Sequence, residues 1–140
     1  MATGCKNPAL LAKLAPKSLS CASPTKGRWL GLATGPCGFC LPCLIRRAAL
    51  LGPGDSTTYA LSDLAAKTLD TREAQGQQIR SFQYAIEKIR QKPKLATLYI
   101  HKPGPLSDES PARQAALAGV YQRGLAELAK LLAGVRAVPS

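Results

Sequence analysis

Acidic and aromatic residues are scarce in this chain. Only 8 Asp and Glu stand against 19 Lys and Arg in 140 residues, which gives a formal net charge of +11 and a sequence pI of about 9.8. No pair of carboxylates sits in a context that suggests general acid–base work. With Phe 2, Trp 1 and Tyr 4, the core must rest on Leu and Ala, which favours helices over a β-sandwich. His101 is the single histidine, so the sequence offers no Ser/His/Asp set and no cluster of imidazole ligands. His101 itself reads as a structural or surface residue. No apolar run approaches the roughly 18 residues that a membrane span needs. The N-terminal stretch is interrupted by Lys13 and Pro16, unlike a secretory signal. A cytoplasmic location with reduced cysteines is therefore expected, and no disulfide framework. There is no Walker A loop and no G-x-G-x-x-G turn. These absences leave no catalytic apparatus.

What is present divides the chain in two. Residues 1–59 carry seven Lys and Arg against one acid, Asp55, and hold all five cysteines. Residues 60–140 carry the other acids and the clearest helical periodicity. The expected fold class is mainly α: an irregular cysteine-bound coil leading into helices, with at most one or two short strands. Residues 1–59 read as a zinc-binding segment with short helices and 60–140 as a helical C-terminal part, together one structural unit. Asn7-Pro8 can start a short helix through Leu10, Leu11 and Leu14, which Pro16 closes. Residues 20–24 and 27–36 read as loop with at most one short strand. A helix begins within 37–50 and Gly52-Pro53-Gly54-Asp55 stops it. Ile79, Phe82, Ile86 and Ile89 share one face of a helix over about 72–91 that Pro93 ends. Leu95–His101 is the best strand candidate. A last helix is expected over about 111–133, with Ser110 as N-cap and Pro111 at its first position. The acids Asp108-Glu109 just ahead of it suit the helix dipole. The last five residues are expected to fray.

The densest chemistry is Cys37-Gly38-Phe39-Cys40-Leu41-Pro42-Cys43, a Cys-x2-Cys-x2-Cys run with Cys21 sixteen residues upstream. Four thiolates suit tetrahedral Zn²⁺, and two-residue spacings let one tight turn offer successive sulfurs to one ion. Gly38 permits the positive φ such a turn often needs, and Pro42 stiffens the entry to the following helix. A bacterial ferredoxin-type cluster would need a fourth cysteine followed by proline, where this chain has Arg47. Zinc is the favoured metal, with an iron–sulfur cluster and ordinary buried cysteines as alternatives. Cys5 reads as a free thiol. Arg46 and Arg47 follow the last ligand on a helix, about 100° apart. One is expected to turn back to the thiolates and the other to face a substrate or partner; a solvated basic start to the helix is the alternative.

The block resembles the zinc module that closes the 7-cyano-7-deazaguanine synthases, the QueC family. The family pattern is an upstream Ser-Cys, then Cys-Gly-x-Cys-x2-Cys, a helix with an arginine, and then Gly, Asp and Tyr. Here these are Ser20-Cys21, Cys37 to Cys43, Arg46-Arg47, Gly54-Asp55 and Tyr59. The phrases CLPCLIRRAAL, GPL and YQRGLAEL look most like the QueC-like component (QatC) of the Qat anti-phage defence system. The resemblance implies a structural zinc on Cys21, Cys37, Cys40 and Cys43, and, from the arginine the family has at that spacing, that Arg46 is the one that turns inward. It also implies a role in ATP-dependent deazapurine processing, in which a carboxylate is activated, attacked by ammonia and dehydrated to a nitrile. The Ser-Gly-Gly-x-Asp-Ser loop that binds ATP in the family is not found in residues 1–36. The chain is therefore expected to be a C-terminal piece, inactive alone, that uses ATP only as part of the intact protein. Its expected partners are the N-terminal ATP-pyrophosphatase domain or other defence subunits, and no membrane. A stand-alone basic zinc module that binds nucleic acid is the rival reading. Against it, Trp29, Phe39 and Tyr59 are not interleaved with basic residues as a stacking surface would be.

Overall fold

A computed structural model describes residues 5–31, 34–52 and 54–139; Leu32, Ala33 and Pro53 of the expected loop and stop signal lie outside them. The architecture is mainly helical. Helix α1 spans Pro8–Leu14, and the Asn7 side chain caps it by accepting from the Leu10 N–H at 3.0 Å. A 3₁₀ turn, Ala15–Lys17, follows directly. A second, Pro24–Leu30, stands where a loop with a short strand was expected. Three residues of that stretch fix this outcome: Pro24 presets φ for a tight turn, and Gly27 and Gly31 disfavour a strand. Helix α2 spans Leu41–Leu50, α3 Ala74–Gln91, α4 Leu95–Tyr99 and α5 Pro111–Leu131. Ser110 caps α5 as expected, its side chain accepting from Arg113 N–H at 3.2 Å.

Two further expectations fail. Leu95–His101 is not a strand: Leu95–Tyr99 is helical, and the N–H groups of Leu95, Ala96 and Thr97 bond to carbonyls three residues back. Only Thr97 and Ile100 in this stretch are β-branched. Its buried residue, Ala96, is 1% exposed and lies in the core beneath α5. Local bonding with one side packed satisfies the backbone of this stretch without a strand partner. Of the five C-terminal residues, 136–139 do not fray, and Ser140 lies outside the described residues. Strand β1 (Leu69–Asp70) pairs in parallel with β2 (Ala137–Val138), with Leu69 opposite Ala137. Gln83 Nε2 donates to Val135 O at 2.8 Å, and Val135 and Ala137 are buried. The tail is ordered because it closes the core.

That core is built from Leu44 and Ala48 of α2, Leu69 of β1, Ile79 and Ile89 of α3, Ala96 of α4, and Ala118, Leu125, Leu128 and Leu132 along α5 and its end. Aromatic rings contribute only at its margin, where Tyr99 and Tyr121 meet edge to face at 6.2 Å. Gly76 lets α3 cross close to the end of β1, since a Cβ there would lie 2.1 Å from Asp70 O. Helix α2 packs against α5, so its first turn, which carries Cys43, is held on the helical part. Among the described residues, no helix is long and apolar enough to cross a membrane.

Candidate metal centre

The centre forms where the coil turns into α2. Cys40 is the N-cap of α2 and Cys43 lies in its first turn, with Pro42 between them. Proline costs nothing there, because first-turn N–H groups have no intrahelical partner. Cys37 and Cys40 bracket the knuckle at Gly38. Its φ of +90° belongs to glycine, and a Cβ would lie 2.5 Å from Leu61 O and 2.9 Å from Tyr59 Cβ. Both the turn and the close approach therefore require glycine. Cys21 enters from the loop ahead of the second 3₁₀ turn.

The four Sγ atoms of Cys21, Cys37, Cys40 and Cys43 all lie within 4.8 Å of one another. Cys21 and Cys40 sulfurs are 3.9 Å apart, and Cys37 and Cys43 sulfurs 4.0 Å. A tetrahedron of Zn–S bonds of about 2.3 Å has edges of about 3.8 Å. The sulfurs are too far apart for disulfides, whose S–S bond is about 2.05 Å. Their close mutual spacing suits one ion at the centre, not a polynuclear cluster with its thiolates spread over several irons. Cys37 and Cys43 are fully buried and Cys40 is 6% exposed. Backbone N–H groups point at the sulfurs: Ser23 and Cys37 donate to Cys21 Sγ at 3.4 and 3.3 Å, and Cys40 donates to Cys37 Sγ at 3.4 Å. Such donors stabilise thiolates, as does the positive end of α2. The residues fit a four-coordinate ion in donor set, spacing and polarity.

Without an ion the thiols differ. Burial pushes the Cys37 and Cys43 thiols up. Burial also acts on Cys40, but hydrogen bonds from the Ala22 and Cys43 backbone and from neighbouring thiols outweigh it, and Cys40 falls to about 7. Cys40 is thus the first of these three to offer a thiolate, and a bound divalent ion would deprotonate the rest.

Both arginines are tied within the chain, and neither faces out to a substrate or partner as was expected of one of them. Arg47, not Arg46, turns to the knuckle: its guanidinium donates to Gly38 O at 3.1 Å, Leu61 O at 2.9 Å and Ser62 O. It also stacks over the Tyr59 ring at 4.7 Å. Burial lowers its pKa, opposed by Tyr59, Asp55, Cys43 and Asp63. Arg46 turns the other way and ties α1 to α2. It donates to Ala15 O, to Ser18 O and Oγ at 3.0 and 2.6 Å, and to Thr57 Oγ1 at 3.0 Å. The two side chains leave α2 in different directions, as adjacent helical positions must. Which one meets the knuckle is set by the loop at 59–62, whose place the spacing alone does not reveal.

That loop supplies residues the cysteine pattern does not include. Ala60 and Leu61 N–H groups bond to Pro36 and Cys37 carbonyls at 3.1 and 3.0 Å. Tyr59 is buried against the cysteines and donates to Asp55 Oδ2 at 2.6 Å. Cys5 is exposed, at the chain's other end, and His101 is exposed in the turn after α4.

The chain matches no protein-family model, no curated protein and no solved structure. The four-cysteine geometry is accordingly the firmest guide to what the molecule does.

Proposed function

We propose that the chain is a zinc-binding module in which Cys21, Cys37, Cys40 and Cys43 hold a structural Zn²⁺. The observation that carries this reading is the mutual spacing of the four sulfurs, within 4.8 Å, in a buried pocket of N–H donors. Four protein ligands leave no open position for water, so the ion's work is to fold the coil and not to act as a Lewis acid. Protein purified without oxygen should contain about one zinc per chain and no iron. A brown protein with iron and labile sulfide overturns the reading.

In its wider setting, we propose that the module belongs to a QueC-like, ATP-dependent deazapurine-processing protein of the anti-phage defence type. Support comes from the order Ser20-Cys21, Cys37 to Cys43, Arg46-Arg47, Gly54-Asp55 and Tyr59, and from Tyr59, which lies against the cysteines and donates to Asp55. In that setting the module works beside an ATP-pyrophosphatase domain and is inactive alone. Supplied in trans, such a domain should be retained by the immobilised chain. Turnover of ATP, ammonium and a deazapurine acid by the isolated chain, lost in Cys40→Ser, contradicts it.

A further inference from the structure

Trp29 is 92% exposed at the end of the second 3₁₀ turn, beside the exposed Arg28. A lone exposed apolar residue is ordinary, but the surroundings of this indole are not. Thr25, Arg28 and Trp29 line one hollow of about 400 Å³. On the same turn, Gly27 lines a larger cleft of about 550 Å³, together with Pro16 of the first 3₁₀ turn and Ser56–Ala60. Lys17, next to Pro16 in sequence, is exposed, and Thr34, Ser56 and Thr58 are among the residues that line the cleft. No acid occurs in residues 1–54. The first acid, Asp55, accepts hydrogen bonds from Tyr59 OH and Thr57 N. Arg46 and Arg47 are bound internally, so the cations open to solvent here include Lys17 and Arg28. Phe39 and Tyr59 pack against the core and the cysteines, whereas Trp29 stands exposed next to Arg28.

We infer that this face, from Lys17 across the cleft to Arg28 and Trp29, is a binding site for single-stranded nucleic acid. The Trp29 indole is the platform on which a base stacks. Arg28 and Lys17 meet phosphates on the two rims, and the cleft hydroxyls offer partners to sugar or base edges. A π-face over basic rims matches an unpaired strand, whose bases are free to stack, better than a duplex, whose bases are not. The inference does not depend on which metal fills the cysteine site.

Trp29 is the only tryptophan, so its emission reports on the site directly. The full-length, metal-loaded chain is titrated with short oligothymidylate and oligouridylate, with the matching duplexes, and with inorganic polyphosphate. Single strands should quench Trp29 and bind more weakly as salt rises from about 50 to 200 mM, with a log–log slope near −0.7 per phosphate contact. By anisotropy of a labelled strand, Trp29→Ala should weaken binding about tenfold or more, whereas Trp29→Phe keeps most of it. Arg28→Gln and Lys17→Gln should each make the salt slope shallower by about 0.7. Metal content and the circular dichroism spectrum should match wild type in all four variants. The inference is overturned by binding without quenching, by polyphosphate or duplex competing as well as the single strand, by an unchanged Trp29→Ala, or by no binding at all. Finding iron in the cysteine site would overturn the zinc proposal and leave this one standing.

Discussion

From α2 onward the chain is held together by apolar side chains, and ahead of α2 by sulfur and guanidinium groups. Helices α2, α3 and α5 each bury aliphatic residues, with Leu44 and Ile79 at 0% exposure. In α1 and the 3₁₀ turn after it no residue is buried, and Leu10, Leu14 and Leu19 remain about half exposed. That segment is fixed at two places: Cys21 in the cysteine cluster, and Ala15 and Ser18 on Arg46. The lesson is that a stretch without enough apolar area for a core can still take one shape if a few strong polar anchors replace the core.

The sharpest way to break this contrast is to remove the metal. Structural zinc sites contribute on the order of 10 kcal/mol or more to folding at neutral pH. Chelation, or Cys40→Ser, should release the ion and expose residues 5–37 to rapid amide exchange while α3 and α5 stay protected. Cys5→Ser should leave metal content unchanged. Uniform exchange over the whole chain would mean the two regions do not differ as described. Ile79→Ala is the mirror experiment. It should cost about 2–5 kcal/mol of stability by denaturant unfolding, with one metal still bound in the folded state.

Arg47→Ala comes next in size. It leaves the Gly38 and Leu61 carbonyls without their charged donor, and should cost about 1.5–3 kcal/mol and weaken metal retention. Arg47→Lys should recover only part, because a point charge cannot serve three carbonyls in a fan. Arg46→Ala should instead speed proteolysis near α1 and leave the metal in place. Equal effects of the two on metal retention would erase the distinction between knuckle and tether.

Two glycines sharpen the comparison within the helical part. Gly76→Ala should destabilise by about 1–3 kcal/mol, since its Cβ meets backbone at Asp70. Gly119→Ala meets only the flexible end of Arg123, and should be neutral or stabilise by about 0.5–1 kcal/mol. Thermal melts of the pair decide this.

The smallest effect concerns the joint between the regions. Burial and the Asp55 carboxylate push the Tyr59 hydroxyl up to about 12, above the unfolded value of about 10. The stability this gives is full below pH 10 and is lost as pH rises through 12, because the unfolded chain releases the proton first. Melting temperature should therefore fall less steeply in Tyr59→Phe than in wild type across that window, and absorbance titration should lack one step near pH 12.

The sequence alone determined whatever depends on local spacing. Periodic isoleucines and leucines set α3 and α5, Asn7-Pro8 and Ser110-Pro111 set two helix starts, and Cys-x2-Cys-x2-Cys set three of the four clustered sulfurs. A turn of the chain can close such patterns by itself. Tertiary structure decided what depends on residues far apart in sequence. It made Leu95–Tyr99 a helix, because one buried alanine packs beneath α5. It ordered the tail through β1, which lies more than sixty residues upstream. It gave the knuckle to Arg47 and the tether to Arg46, because the 59–62 loop returns to Cys37 on one side of α2 and α1 lies on the other. It also left the one indole in water, which no pattern of neighbouring residues announces. Burial and partner choice are properties of the assembled surface, and a linear string fixes them only where the partners are neighbours.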